Sequence, residues 1–278
     1  MVSNRLSIFV ATQEGDIQEY DVQTGDRLKT LQGHNNCVCA LLLFDGNLFS
    51  AGRDMIINKW DILTGEIVQI FNGHLPQTVV TLCYGEFLFT SGCSGSIIQF
   101  RASDGVKMSI FEGHSGNIIE MKVFDNSLYS SSEDNTLIKW NMHGELVHIF
   151  RHRTPIHSFT VLKKALYTIC DEELIYQWDI LTGIQVRIIG KDGPLKLSLF
   201  GCGNKLFSTN TDSTISSYDL LSGNVNGSLY PEASTTIDRS AHILKTLTVQ
   251  NSKSSFVDKQ TDIDEVSIER YTFHLIHD

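Results

Sequence analysis

No stretch of this sequence is apolar for the roughly 18–20 residues that a bilayer-spanning helix requires. The opening MVSNRLSIFVATQEGD has too short an apolar run, and no small-residue cleavage site, for a secretory leader. Clusters of Lys and Arg are also lacking: 22 basic against 32 acidic side chains leave a net charge of -10. A nucleic-acid backbone or an anionic membrane would want such clusters, so neither is expected as the main partner. None of the six cysteines (37, 39, 83, 93, 170 and 202) forms a C-x-x-C pair, which argues against zinc and for a reducing compartment, with the cytoplasm expected. Most lie in apolar, strand-like segments and read as small packed hydrophobes. Four prolines and no low-complexity tract leave a compact chain as the expectation. The lone sequon at Asn226 carries no weight.

Chemistry-bearing motifs are missing too. There is no glycine-rich phosphate loop, no H-E-x-x-H and no G-x-S-x-G. Histidines 148, 152, 157, 274 and 277 fall in different strands and loops, so a convergent metal site is not expected. Cofactors are accordingly not expected.

What is present is a period. Blocks ending in an aromatic and a polar residue recur: IQEYD (17–21), INKWD (57–61), IIQFR (97–101), LIKWN (137–141), IYQWD (175–179) and ISSYD (215–219). Their last residues step by 40, 40, 40, 38 and 40. Gly33-His34, Gly73-His74 and Gly113-His114 follow the first three blocks at one offset, and a turn signal such as Thr24-Gly25 or Thr64-Gly65 follows nearly every block. Inside each period the pattern predicts four short strands; in the second they are CVCALLLF, NLFSAG, MIINKWD and EIVQIF. Strands apolar on both faces must be covered on both sides. Four-stranded antiparallel units of about 40 residues, each between two neighbours, close into a ring. The expected fold is all-β, a β-propeller.

The Gly-His pair, the turn Asp and the Trp-Asp some six residues later resemble the WD-repeat β-propellers over roughly residues 5–230. That resemblance implies a buried network of His, a strand Ser, the turn Asp and Trp, mapped here to His114, Ser132, Asp134 and Trp140. In the second repeat His34, Asp54 and Trp60 are kept, with Gly52 where the Ser is expected. The third has His74 with Ser94 and Phe100, the fifth His152, Glu172 and Trp178, and the sixth Lys191, Asp212 and Tyr218.

The chain reads as a single propeller over 1–278. Residues 231–270 are expected to form a degenerate seventh blade, with 271–278 supplying the strand that the first blade lacks. Six blades with a strand-rich tail is the alternative.

Recognition on repeat scaffolds sits in connections. In WD-repeat proteins the loops leading into each blade share a face with the turns between second and third strands. Here that face carries Asn36, Arg53, Gln77, Asn117, Glu133, Arg153, Asp171, Lys191 and Thr211. Its mixed charge suits a protein or peptide rather than a polyanion. The expectation is a non-enzymatic interaction scaffold, part of a multiprotein complex. A narrower alternative is the substrate-recognition subunit of a ubiquitin ligase. An enzyme using the central channel would need convergent acids or histidines on the innermost strands, where only Glu120 and His157 stand out.

Overall fold

The computed structural model describes residues 7–72, 80–92, 94–170, 174–190, 195–202 and 205–229. Every regular element among them is a strand. The first sheet has three strands, β1 (Ser7–Ala11), β2 (Ile17–Asp21) and β3 (Arg27–Leu31). Five four-stranded sheets follow. Sheet two holds β4 (Val38–Phe44), β5 (Asn47–Gly52), β6 (Ile57–Asp61) and β7 (Ile67–Phe71). Sheet three holds β8 (Val80–Tyr84), β9 (Phe87–Ser91), β10 (Ile97–Arg101) and β11 (Lys107–Phe111). Sheet four holds β12 (Ile118–Phe124), β13 (Ser127–Ser132), β14 (Thr136–Trp140) and β15 (Leu146–Arg151). Sheet five holds β16 (Ile156–Leu162), β17 (Ala165–Cys170), β18 (Ile175–Asp179) and β19 (Gln185–Ile189). Sheet six holds β20 (Lys196–Cys202), β21 (Lys205–Asn210), β22 (Ile215–Tyr218) and β23 (Val225–Leu229). The segments 231–270 and 271–278, expected to complete a seventh blade and the ring, lie outside the described residues.

All pairing within a sheet is antiparallel and follows chain order. The first strand of each full sheet neighbours the first strand of the next, as in a propeller. β1 meets β4 as β13 meets β16 and β17 meets β20. It therefore occupies a second-strand position, and the first sheet lacks an innermost strand among the described residues.

The core is divided among five seams, one between each pair of consecutive sheets. Phe9, Ile17 and Leu31 of sheet one meet Val38, Leu41, Leu48 and Trp60 of sheet two. Phe49, Ile57 and Phe71 then meet Leu88, Ile98 and Phe100. Phe89 and Phe111 meet Met121, Leu128 and Trp140. Tyr129 and Phe150 meet Phe159, Leu166 and Trp178. Tyr167 and Ile189 meet Leu199, Leu206 and Tyr218. The second and third strands of sheets two to five thus bury both faces, one in each flanking seam, and show little alternation, whereas the outermost strands turn side chains such as Val68, Ile110 and Val147 to solvent.

Turn chemistry sets the hairpins. After the aromatic of the third strand, an Asp side chain accepts two backbone N–H bonds: Asp61 Oδ1 from Leu63 and Thr64 at 2.7 and 3.0 Å, Asp219 Oδ1 from Leu221 and Ser222 at 2.7 Å each. These donors hold both carboxyl groups below the usual carboxylate range. The hairpin between first and second strands takes two left-handed residues, Asp45-Gly46 in sheet two and Asp125-Asn126 in sheet four. Both are residue types that tolerate this conformation.

Sheet five departs from that rule. Lys163 and Lys164 occupy the same two positions with φ of 51° and 61°, although lysine has no side-chain device for the left-handed region. Replacing them by Asn-Gly should stabilise the fold by about 1–2 kcal/mol. At this chain size that is a rise of roughly 2–3 °C in Tm. A thermal melt showing no rise would refute the strain assigned to this turn.

Candidate binding face and the polar network beneath it

The network begins with a tryptophan and a hydroxyl ten residues before it. Trp60 Nε1 donates to Ser50 Oγ at 2.7 Å, and Ser50 Oγ lies 2.7 Å from His34 Nε2. His34 Nδ1 faces the Asp54 carboxylate at 2.9 Å. Sheet four repeats the arrangement: Trp140 Nε1 to Ser130 Oγ at 2.8 Å, Ser130 Oγ to His114 Nε2 at 2.8 Å, His114 Nδ1 to Asp134 Oδ2 at 3.0 Å. The Asp134 carboxylate can only accept, so the imidazole proton of the neutral ring sits on Nδ1 facing it; Nε2 then accepts the hydrogen of the Ser130 hydroxyl, whose oxygen accepts the indole N–H. Burial pushes the His114 pKa below its ordinary value, against the pull of Asp134. Burial tends to raise Asp134, but hydrogen bonds from Thr136, Ser115 and His114 outweigh it and hold the carboxyl below its usual range.

Two sequence expectations are corrected here. The network serine of sheet four is Ser130, not Ser132, and sheet two does not lack one, since Ser50 supplies it. Ser130 and Ser132 point to the same side of β13. Ser130 lies directly opposite Ile138, and Trp140 opposite Leu128, so the indole reaches Ser130 along the diagonal. Ser132 Oγ instead accepts the Asp134 backbone N–H at 3.2 Å. The signal that finds the right residue is a hydroxyl ten positions before the aromatic. It recurs as Thr168 before Trp178 (2.9 Å) and Ser208 before Tyr218 (2.9 Å). Thr168 also meets His152 Nε2 at 3.2 Å, so sheet five keeps most of the network. In sheet three the aromatic is Phe100, which has no N–H to donate. There the Thr90 Oγ1 is buried with no hydrogen-bond partner among the described residues.

The Gly of the Gly-His pair has a packing reason. A Cβ on Gly33 would stand 2.9 Å from Trp60 Cη2, and one on Gly113 would stand 2.8 Å from Trp140 Cη2. The loop can cross the indole only with no side chain at that position.

The network also holds the face in place. Asp54 and Asp134 accept the backbone N–H groups of Asn35 (3.0 Å) and Ser115 (2.8 Å), tying the second turn of a sheet to the loop leading into it. Backbone bonds complete the link: Arg53 N–H to Cys37 O at 2.8 Å, Glu133 to Asn117 at 3.0 Å, Thr211 to Leu195 at 2.8 Å. Adjacent sheets are joined as well, by His152 N–H to Asn135 O (2.9 Å) and Asn135 Nδ2 to Arg153 O (3.3 Å). Asn36, Arg53, Glu133, Arg153 and Thr211 are exposed, and Asn117 is half-buried. Gln77, Asp171 and Lys191, expected on this face, lie outside the described residues, as does His74.

On the innermost strands, the two residues that drew attention differ in role. The Glu120 carboxylate accepts the Phe159 N–H at 3.0 Å and pairs with Lys122 Nζ at 2.7 Å, while Lys122 Nζ donates to Phe159 O at 2.6 Å. Together they bridge β12 to β16 by binding its backbone. His157 sits exposed where β16 shifts register. The sequence reading missed those shifts. β4, β12, β16 and β20 each carry an extra residue near the start: Cys39, Ile119, His157 and Leu197.

Comparison with known proteins agrees with this architecture. Residues 25–61 match the family model described as WD domain, G-beta repeat. A search of curated proteins finds no match. Among solved structures, a chain of the mitotic checkpoint complex is similar with a TM-score of 0.68 at 15% identity, covering 82% of this chain and 80% of that one. The computationally designed protein Ika8 is similar with a TM-score of 0.58 at 18% identity, covering 81% of this chain and 86% of that one. In all, 1579 solved chains match, so the likeness identifies an architecture rather than a task.

Two substitutions separate the serines. Ser130→Ala leaves the Trp140 indole N–H and a histidine nitrogen buried without a partner, and should cost about 2–6 kcal/mol at about 1–3 for each orphaned group. Ser132→Ala should cost about 1 kcal/mol, since it removes one bond to a turn amide. Urea unfolding of both variants decides, and equal losses would overturn the assignment.

Proposed function

We propose that this chain, a WD-repeat β-propeller, works as a non-enzymatic scaffold that holds a protein or peptide partner on the face formed by its leading loops and second turns. WD-repeat propellers generally mediate protein–protein interaction. One observation of this chain carries the reading: exposed side chains of both signs stand on loops fixed by backbone bonds and by the buried network. Arg53, Glu133 and Arg153 are displayed on connections already tied down, so little ordering entropy is lost when a partner docks. Glu120 supports it too, because its carboxylate is committed to the backbone of β16 rather than presented to a substrate. The cysteines described are unpaired, which accords with a reducing, cytoplasmic setting.

The test is a cross-linked pull-down comparing the wild type with an Arg53→Glu, Glu133→Lys, Arg153→Glu variant shown by its melting curve to be folded. Specific proteins retained by the wild type and lost by the folded variant are the expected result. Identical recovery by both would refute the assignment of the face. Ligase subunits among the proteins lost would mark the scaffold as the substrate-recognition part of a ubiquitin ligase.

A further inference from the structure

The seams between described sheets are built from the same two halves. One sheet gives the aromatic of its second strand and an aliphatic near the start of its third: Phe49 and Ile57, Phe89 and Ile97, Tyr129 and Leu137, Tyr167 and Ile175. The next sheet gives an apolar residue of its innermost strand, a leucine seven positions on and an aromatic twelve beyond that. These are Leu41, Leu48 and Trp60 in sheet two, and Met121, Leu128 and Trp140 in sheet four. Sheets five and six repeat the spacing with Phe159, Leu166 and Trp178, then Leu199, Leu206 and Tyr218.

Sheet six presents the first half of a further seam with no described sheet to meet it. Phe207 and Ile215 hold its two positions and are half-buried, whereas their counterparts in sheets two to five are at most 2% exposed. Phe200, stacked on Phe207 at 5.2 Å and 9°, is 37% exposed. The second half of a seam recurs in the chain beyond β23. There Ile237, Leu244 and Phe256 keep the spacings of seven and twelve. Thr246 stands two after the leucine and ten before the aromatic, the position from which Ser50, Ser130, Thr168 and Ser208 meet their aromatics. Phe256 lies 38 residues beyond Tyr218, the step that also separates Trp140 from Trp178. An even step of 40 would put Asp258 there instead.

We propose that residues 237–256 dock on the open face of sheet six, Leu244 and Phe256 packing on Phe207 and Ile215 as Leu206 and Tyr218 pack on Tyr167 and Ile175. Burial of these apolar groups drives the docking. The segment follows directly on β23, so its effective concentration at the face is high and little loop-closure entropy opposes it. The register has a second consequence. Val249 falls three after Thr246, the position that Arg53, Glu133 and Thr211 hold after Ser50, Ser130 and Ser208, where all three are exposed. The inference concerns how sheet six is covered and holds whether or not the proposed face binds a partner.

Hydrogen exchange of the full chain, read by mass spectrometry, tests it. In the wild type, peptides spanning 237–256 should be protected to a degree comparable with β21 and β22. Phe256→Ala should speed exchange in that segment and in β21 and β22 by about 100-fold, as truncating a buried phenylalanine does, and leave β9 and β13 unchanged. Val249→Asp should change exchange by less than about 2-fold, the range of a surface substitution. The wild-type readout needs no variant to fold, and unprotected amides over 237–256 would overturn the proposal outright. So would a Phe256→Ala variant that exchanges like the wild type, or equal effects from Phe256→Ala and Val249→Asp.

Discussion

Everything in this structure depends on one contact made repeatedly, the packing of one sheet's third-strand aromatic against the end of the previous sheet's outermost strand. Phe71 meets Phe100 edge-on at 5.8 Å, Phe111 meets Trp140 at 5.7 Å and Phe150 meets Trp178 at 5.9 Å. The strand ladders close only individual sheets, since every ladder runs within one. Sheets two to five each bury apolar side chains in a seam on either side, and sheets one and six in the one seam described for each, with an aromatic among the large groups of every seam. Side-chain donors then fasten the outer edge of the seam by reaching carbonyls in the next sheet's turn: Lys29 to Ile62 O at 2.6 Å, Lys59 to Ala102 O at 3.3 Å, Gln99 to Met142 O at 3.2 Å and Arg187 to Leu221 O at 2.7 Å.

The polar network comes second in this hierarchy. It varies from sheet to sheet while the seam aromatic persists: sheet three has no indole donor, and in sheet six a tyrosine hydroxyl meets Ser208 without a histidine. Its work is local. It fastens the leading loop to the second turn in sheets two and four, where its aspartates take backbone N–H groups from both. The rigidity of the proposed binding face follows from that link.

Much of this was legible in the sequence. The 40-residue step of aromatic-polar blocks located the third strands, and the residues between them located the others, because apolar runs punctuated by Asp-Gly and Thr-Gly leave few ways to draw the boundaries. The placement of the network serine was legible only in retrospect. In SLYSSS three serines occupy consecutive positions, and one strand face carries two of them, so composition could not choose Ser130 over Ser132. The bulges at Cys39, Ile119, His157 and Leu197 left no trace in composition either. An added residue in a strand apolar on both faces changes no pattern, yet it decides which side chain leaves the seam. Lys163-Lys164 gave no turn signal because lysine is not a residue the left-handed region selects.

If the aromatic contact across the seam is the governing interaction, it must show as coupling between sheets. The most direct measurement is a double-mutant cycle on Phe71→Leu and Phe100→Leu, two fully buried rings in different sheets with no polar bond between them. Chemical unfolding of the four proteins should show the double variant losing about 0.5–1.5 kcal/mol less than the sum of the two single losses, the coupling of the ring contact. Strictly additive losses would contradict the account, and would mean that the sheets are held by general burial rather than by this contact.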